Sequence, residues 1–298
     1  MPLPNFVVVG APKCGTTSLY HYLKQHPEIY LPARKELHYF SREHVLRDMG
    51  GPGDQFLAHR VCPDAESYAA EFAPAGGEKA RGEISPSYFD FPEVAEAIRR
   101  ELGDPAIVIL LRDPIAKAFS QYMHLVRDGR ETLTFHDALM AEPDRTGQRW
   151  SLIWRYASSS LYAGRVRHYL DTFGPGRVRI FLFEEFVREP QRVLDELWHF
   201  LGVDPGVRAD TTQVFNASSR PRSRFLAGLV SKRSPLAAVA RAVVPEAARL
   251  RAVELVRKLN SGKRGEVDDR SRAHLRDYFG ADVKEVETIL GRRTGWLR

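Results

Sequence analysis

The stretch Phe6 to Tyr22, FVVVGAPKCGTTSLYHY, limits what this chain can fold into more than any other. Phe6-Val7-Val8-Val9 is a short β-branched apolar run closed by Gly10, the pattern of a strand buried in a parallel sheet. A tight loop follows, and Thr16-Thr17-Ser18 then opens an apolar-periodic segment (Leu19, Tyr22, Leu23) that reads as a helix. A strand, a glycine-bearing loop and a hydroxyl-rich helix start together make an anion site. The first helical amides lack partners inside the helix, and the dipole is positive there. Gly10 and Gly15 let the backbone approach an anion, Lys13 adds a formal charge, and Thr16 to Ser18 add hydroxyl donors. The two glycines keep the spacing of the ATP-binding loop, G-x-x-x-x-G-K-[ST]. Thr16, however, stands where that loop has its lysine, so a standard ATPase or GTPase is disfavoured.

Two further apolar runs read as buried strands: Ala106 to Leu111 and Val178 to Phe183. A fourth strand is expected over Lys79–Ile84. Helices are expected at Asp64–Phe72, from Pro92-Glu93 to Leu102, from Pro114 to Gly129, within Glu131–Glu142, and at Ser160–Phe173 and Pro190–Leu201. Pro143 to Arg155 is expected to be an irregular loop. Strands alternating with helices imply right-handed crossovers and a parallel sheet covered on both faces, with ligands beyond the strand C-termini. Gly10 and Arg112 both lie just past such ends.

KELHYF, residues 35–40, follows the first helix. Read as extended chain, it puts Glu36, His38 and Phe40 on one side, a carboxylate and an imidazole able to handle one proton. A surface glutamate beside a structural histidine is the plainer reading of the same pair. Arg112 ends a strand, and Ser120 lies in the second turn of the helix that follows. The two could reach one phosphate, although an ordinary Arg112–Asp113 pair fits the spacing equally.

With 298 residues the chain can bury one substantial core, and only Cys14 and Cys62 are present, so no disulfide framework is expected. No apolar run reaches membrane-spanning length and Met1 to Asn5 is no signal peptide, so a cytoplasmic location is expected. Between Arg220 and Arg264 twelve Lys/Arg face two Asp/Glu, within a chain of net charge +6. No zinc spacing, RNP-like run or helix-turn-helix accompanies this basic stretch, so no nucleic-acid partner is expected. Beyond Thr211 helices are expected near Phe225–Val230, Glu246–Leu259, Ser271–Phe279 and Asp282–Leu290. The expected organisation is one domain over 1–298: an α/β core over 1–210, and a basic, mostly helical part over 211–298 that closes over the cofactor.

Six motifs in order resemble sulfotransferases that use 3′-phosphoadenosine 5′-phosphosulfate (PAPS), closest to the branch of heparan sulfate N- and 3-O-sulfotransferases and bacterial relatives. They are GAPKCGTTSL at 10–19, KELHYF at 35–40, GEISPSYF at 82–89, LLRDPIAKAFSQYMH at 110–124, SLYAGRVRHYLDTFG at 160–174 and the loop Ser261-Gly262-Lys263-Arg264. The resemblance implies a P-loop-like three-layer fold with a central parallel sheet, helices on both faces and a helical C-terminal cap. It implies that Lys13, Cys14, Gly15, Thr16, Thr17 and Ser18 line the 5′-phosphosulfate, that Arg112 and Ser120 grip the 3′-phosphate, and that Lys263 and Arg264 cover the cofactor. Glu36 falls on that branch's general base, with His38 beside it. Ile84 stands where the branch often has lysine, and Phe183 matches a position that is an adenine-stacking tyrosine in some relatives.

The chemistry fits these residues. PAPS carries about four negative charges near neutral pH, and sulfonyl transfer, like phosphoryl transfer, asks mainly for in-line positioning and charge stabilisation on the leaving side. No metal is expected, since no cluster has ligand spacing. Two rival readings remain: a nucleotide-binding phosphotransferase, which lacks a strand-end metal carboxylate here, and a non-catalytic anion- or membrane-surface module using residues 220–264. The acceptor, a hydroxyl or amine of a sugar, polyketide, peptide or lipid, is not encoded legibly. Its pocket is expected from loops 41–62 and 130–157.

Overall fold

The computed structural model describes residues 3–212 and 265–297. Lys263, Arg264, the expected helices near 225–230 and 246–259, and the whole of the basic 220–264 stretch lie outside the described residues.

Five parallel strands form one sheet in the order β2-β3-β1-β4-β5: β1 (Phe6–Gly10), β2 (Ile29–Tyr30), β3 (Ala80–Ile84), β4 (Ala106–Leu111) and β5 (Val178–Leu182). Every residue of β1 and β4 is buried, as their unbroken apolar runs require in a sheet covered on both faces. The edge strand β5 leaves Arg179 exposed, and the two-residue β2 carries no pattern from which it could be read. The chain leaves β1 towards β3 and leaves β4 towards β5, so the crevice between the ends of β1 and β4 is a topological switch point.

Helices follow the strands: α1 (Thr16–Leu23), α2 (Arg42–Arg47), α3 (Ala65–Ala70), α4 (Glu93–Leu102), α5 (Pro114–Arg127), α6 (Phe135–Met140), α7 (Glu142–Gly147), α8 (Ala163–Phe173), α9 (Phe183–Arg188), α10 (Pro190–Leu201) and α11 (Asp269–Leu290). Asp113 caps α5 by accepting from the Ala116 amide at 2.9 Å, with Pro114 at the permitted first position. Trp154, Trp198, Tyr88, Tyr156, Tyr162 and Tyr169 are the largest fully buried side chains.

Three local expectations are corrected. Residues 143–147 are helical rather than irregular, because Pro143 sits in the first turn of α7. Phe183 opens α9 instead of closing β5. The two expected C-terminal helices are one: α11 runs through Gly280, where a glycine costs only about 1 kcal/mol, and its buried stripe Leu275, Phe279, Val283 and Val286 holds it together. Asp282 on α11 accepts from the amides of Tyr162 and Ala163 at 2.8 and 3.0 Å, tying α11 to the start of α8. The chain's last described turn returns to the site: Leu297 N–H donates to Asp113 Oδ2 at 2.9 Å, and the Trp296 indole donates to Glu184 at 3.2 Å.

Candidate active site

The loop after β1 is shaped by close approach. A Cβ on Gly10 would fall 2.4 Å from Phe89 Cβ. Gly15 caps α1 in the left-handed region (φ 89°), where a Cβ would also meet the Phe183 ring at 3.0 Å. No side chain caps α1, so its first-turn amides at Thr16, Thr17 and Ser18 stay available at the positive end of the dipole. Thr16 and Ser18 are buried and Thr17 is partly exposed. Cys14 turns inward: its thiol donates to the Pro12 carbonyl at 3.5 Å and its amide to the Ala11 carbonyl at 3.3 Å. Burial pushes this thiol up to about 11, so it stays protonated and fills space under the loop.

Arg112, arriving from the end of β4, joins this loop by donating from Nη1 to the Lys13 carbonyl at 3.2 Å. Its guanidinium lies 4.6 Å from the centre of the Phe183 ring, and its own carbonyl accepts from Tyr162 Oη at 2.9 Å. Burial, reinforced by Arg127 and Arg112, lowers the Lys13 ammonium to about 8, with Glu36 and Asp128 working in the opposite direction. Ser120 is buried in the second turn of α5.

Glu36 and His38 do come together, though not as alternating residues of an extended segment. Both have left-handed backbones, φ 66° and 54°, so the side-by-side arrangement arises from two sharp bends. Burial would raise the Glu36 carboxyl, but Lys35, His38 and Arg60 outweigh it and hold it at about 2. Lys35 pairs directly with Oε1, while Arg60 lies 3.7 Å and His38 Nε2 3.9 Å from Oε2. Burial pushes His38 down to about 4, leaving a neutral ring near neutral pH. Its Nδ1 is 2.8 Å from Ser87 Oγ, and its buried Nε2 meets no hydrogen-bond partner among the described residues. If Nδ1 carries the proton, Nε2 presents a lone pair.

Ile84 is buried, and its carbonyl accepts from the Glu36 amide at 3.1 Å; its side chain faces the core. Lys117 and Glu83 are buried ionisable residues to which the motifs assign no role. Lys117, wholly buried under the loop and lowered by burial to about 8, donates to the carbonyl and hydroxyl of Ser159 at 2.7 and 2.6 Å. Glu83, at the end of β3, is held by hydroxyls. A charged residue inside an otherwise buried helix face or strand was the available signal for both. Among the described residues no group of three or more His, Cys, Asp or Glu is arranged to hold a metal ion, and no helix is long and apolar enough to cross a membrane.

The strand-end loop thus combines an uncapped helix start with a lysine whose charge is disfavoured by Arg127 and Arg112. Residues 4–205 match the model of the sulfotransferase family. This chain belongs to that family. It is 34% identical, over the whole of both chains, to a sulfotransferase from Alicyclobacillus acidocaldarius whose crystal structure superposes with a TM-score of 0.80. It is 25% identical to the mouse bifunctional heparan sulfate N-deacetylase/N-sulfotransferase 1 across 99% of this chain and 31% of that protein. A mouse sulfotransferase solved in complex with PAP shares the fold, with a TM-score of 0.53 at 14% identity, covering 97% of this chain and 87% of that one. The chain spans less than a third of the length of the curated relatives it matches, 22% to 31% in the first three. The P-loop-like fold with its central parallel sheet is therefore that of its family.

Proposed function

We propose that this sulfotransferase moves the sulfonyl group of PAPS to a hydroxyl or amine of a carbohydrate or small-molecule acceptor, with Glu36 as general base and Lys13 at the leaving phosphate. The observation that carries the reading is the loop after β1, where Arg112 donates to the Lys13 carbonyl and the helix α1 that follows has no side-chain cap. The residues present fit the cofactor. Arg127 and Arg112 disfavour the charge on Lys13, and an anion at Lys13 relieves that repulsion.

PAPS supplies an activated sulfonyl group whose phosphate leaves as PAP. The amides and hydroxyls of Gly15 to Ser18 would bind its 5′ side, and Arg112 with Ser120 its 3′-phosphate. Cys14 contributes to the shape of the loop. Glu36 is ionised at every ordinary pH, but Lys35 and Arg60 weaken it as a base. An acceptor that draws these cations away leaves a carboxylate better able to take its proton, with the neutral His38 ring alongside. Residues 211–298, including Lys263 and Arg264, belong to the same single domain in this reading and close over the cofactor. The names of the relatives, a heparan sulfate N-sulfotransferase among them, support a carbohydrate acceptor.

The test is calorimetry with PAP and with ATP, followed by a labelled-PAPS screen across acceptor classes. PAP is expected to bind and Lys13→Ala to weaken it. Tight ATP binding with no heat from PAP would overturn the reading.

A further inference from the structure

Glu83 ends β3 with its carboxylate fully shielded from solvent, and three hydroxyls converge on it. Tyr68 Oη donates to Oε2, and Ser85 Oγ and Tyr88 Oη both donate to Oε1, each at 2.6 Å. Burial raises this carboxyl, and the three hydroxyl donors work in the opposite direction, at distances that suit a hydroxyl donating to a carboxylate oxygen, about 2.5–2.7 Å. Each hydroxyl proton is thereby committed to Glu83, and the buried oxygens of Ser85 and Tyr88 are left to act as acceptors.

Both acceptors are taken up by the segment that carries the proposed base. His38 N–H donates to Ser85 Oγ at 3.1 Å, and Phe40 N–H donates to Tyr88 Oη at 3.2 Å. With Glu36 N–H on the Ile84 carbonyl at 3.1 Å, alternate amides of residues 36–40 hang on the exit of β3. The first rung is ordinary backbone; the other two are side-chain hydroxyls whose direction Glu83 fixes. Tyr68 adds a wall, its ring stacked on Tyr39 at 4.4 Å and edge-on to Phe40 at 5.4 Å. The segment needs such anchors, because left-handed backbone at Glu36 and His38 costs about 1–2 kcal/mol each.

We propose that Glu83 is a positioning residue for sulfonyl transfer: through Ser85 and Tyr88 it fixes the 36–40 segment so that Glu36 and His38 face the acceptor. The proposal rests on the reading of Glu36 as the proton acceptor. Glu83 itself touches neither substrate nor cofactor. A displacement of the base by about 1 Å costs up to ~10²-fold, which sets the expected effect.

The experiment measures kcat, KM for PAPS and PAP affinity for Glu83→Gln, Glu83→Met, Ser85→Ala and Tyr88→Phe, each alone and combined with Glu36→Gln. Glu83→Met is expected to lose roughly 10–100-fold in kcat with PAP affinity unchanged. Glu83→Gln, which retains an oxygen for Ser85 and Tyr88, should recover most of that loss. Added to Glu36→Gln, Glu83→Met should cost nothing more. An equal loss in both backgrounds, or a parallel loss of PAP affinity, overturns the proposal. If Glu83→Met does not fold, the Ser85→Ala/Tyr88→Phe pair carries the test. Hydrogen exchange should then quicken in residues 36–40 and not in 6–22, and unchanged exchange at 36–40 overturns the proposal. Normal turnover by Glu36→Gln alone is a separate result that sinks the base assignment, while the exchange measurement still judges Glu83.

Discussion

Two sets of withdrawn charge in this protein meet opposite fates. Where residues 48–60 meet residues 130–157, charge is consumed inside the protein. Asp54 accepts from the amides of Gly51 and Ser151 at 2.8 and 2.9 Å, from the Ser151 hydroxyl at 2.7 Å and from the Trp154 indole at 3.0 Å, and it pairs with Arg130. Beside it Glu131 takes Arg145 at 2.6 Å and the Tyr156 hydroxyl at 2.7 Å. At the loop after β1, by contrast, Lys13 is crowded by Arg112 and Arg127 and its proton is destabilised. A buried charge surrounded by partners is scaffold, whereas one crowded by its own sign is prepared for a ligand of the other sign. The two regions communicate through the turn Asp54–Arg60, which is anchored at Asp54 and delivers Arg60 to Glu36.

The contrast sorts mutations by what they should damage. Glu36→Gln is expected to have the largest effect, a ~10²–10⁴-fold loss of turnover with PAP affinity intact, read by single-turnover kinetics beside calorimetry. Asp54→Ala should destabilise the fold by about 3–5 kcal/mol, because it strands Arg130 and several donors. Urea unfolding checks this, and the protein that remains folded should bind PAP normally. Lys13→Ala should do the reverse, weakening PAP by about 1.5–3 kcal/mol while leaving ligand-free stability unchanged or improved. Should Asp54→Ala lose PAP affinity first, or Lys13→Ala unfold the chain, the division between scaffold and site is wrong.

That division explains what could be read from the sequence. The buried runs of β1 and β4, the glycine loop and the Asp113-Pro114 cap are local signals, and the structure has each of these elements where the sequence places it. The left-handed turns at Glu36 and His38 have no such signal. Neither residue type favours them, and they exist because Ile84, Ser85 and Tyr88, more than forty residues away, capture alternate amides. The Asp54–Arg130 staple joins positions 76 residues apart, and nothing in either loop announces the other. Gly280 failed as a helix stop for a related reason. The buried stripe of α11 is decided by packing, which outweighs a weak intrinsic preference.

The smallest expected effect probes the junction between the two regions. Arg60 is 56% exposed and 3.7 Å from Glu36, so solvent screening limits its influence to about 1 kcal/mol or less. Removing this cation in Arg60→Ala should raise the Glu36 pKa from about 2 by less than about one unit. Because Glu36 acts in its ionised form, the acid limb of kcat/KM should move to higher pH. The stability that Glu36 gains from its depressed pKa is complete above the ordinary carboxylate value of 4.5 and is lost as pH falls towards 2. In Arg60→Ala that loss should finish at a higher pH and be smaller in total. Lys35→Ala, which removes a cation only 13% exposed and in direct contact with Glu36, should move the same limb further in the same direction. A shift to lower pH in either variant, or a larger shift for Arg60 than for Lys35, would mean that Glu36 is not the group these two cations hold in check.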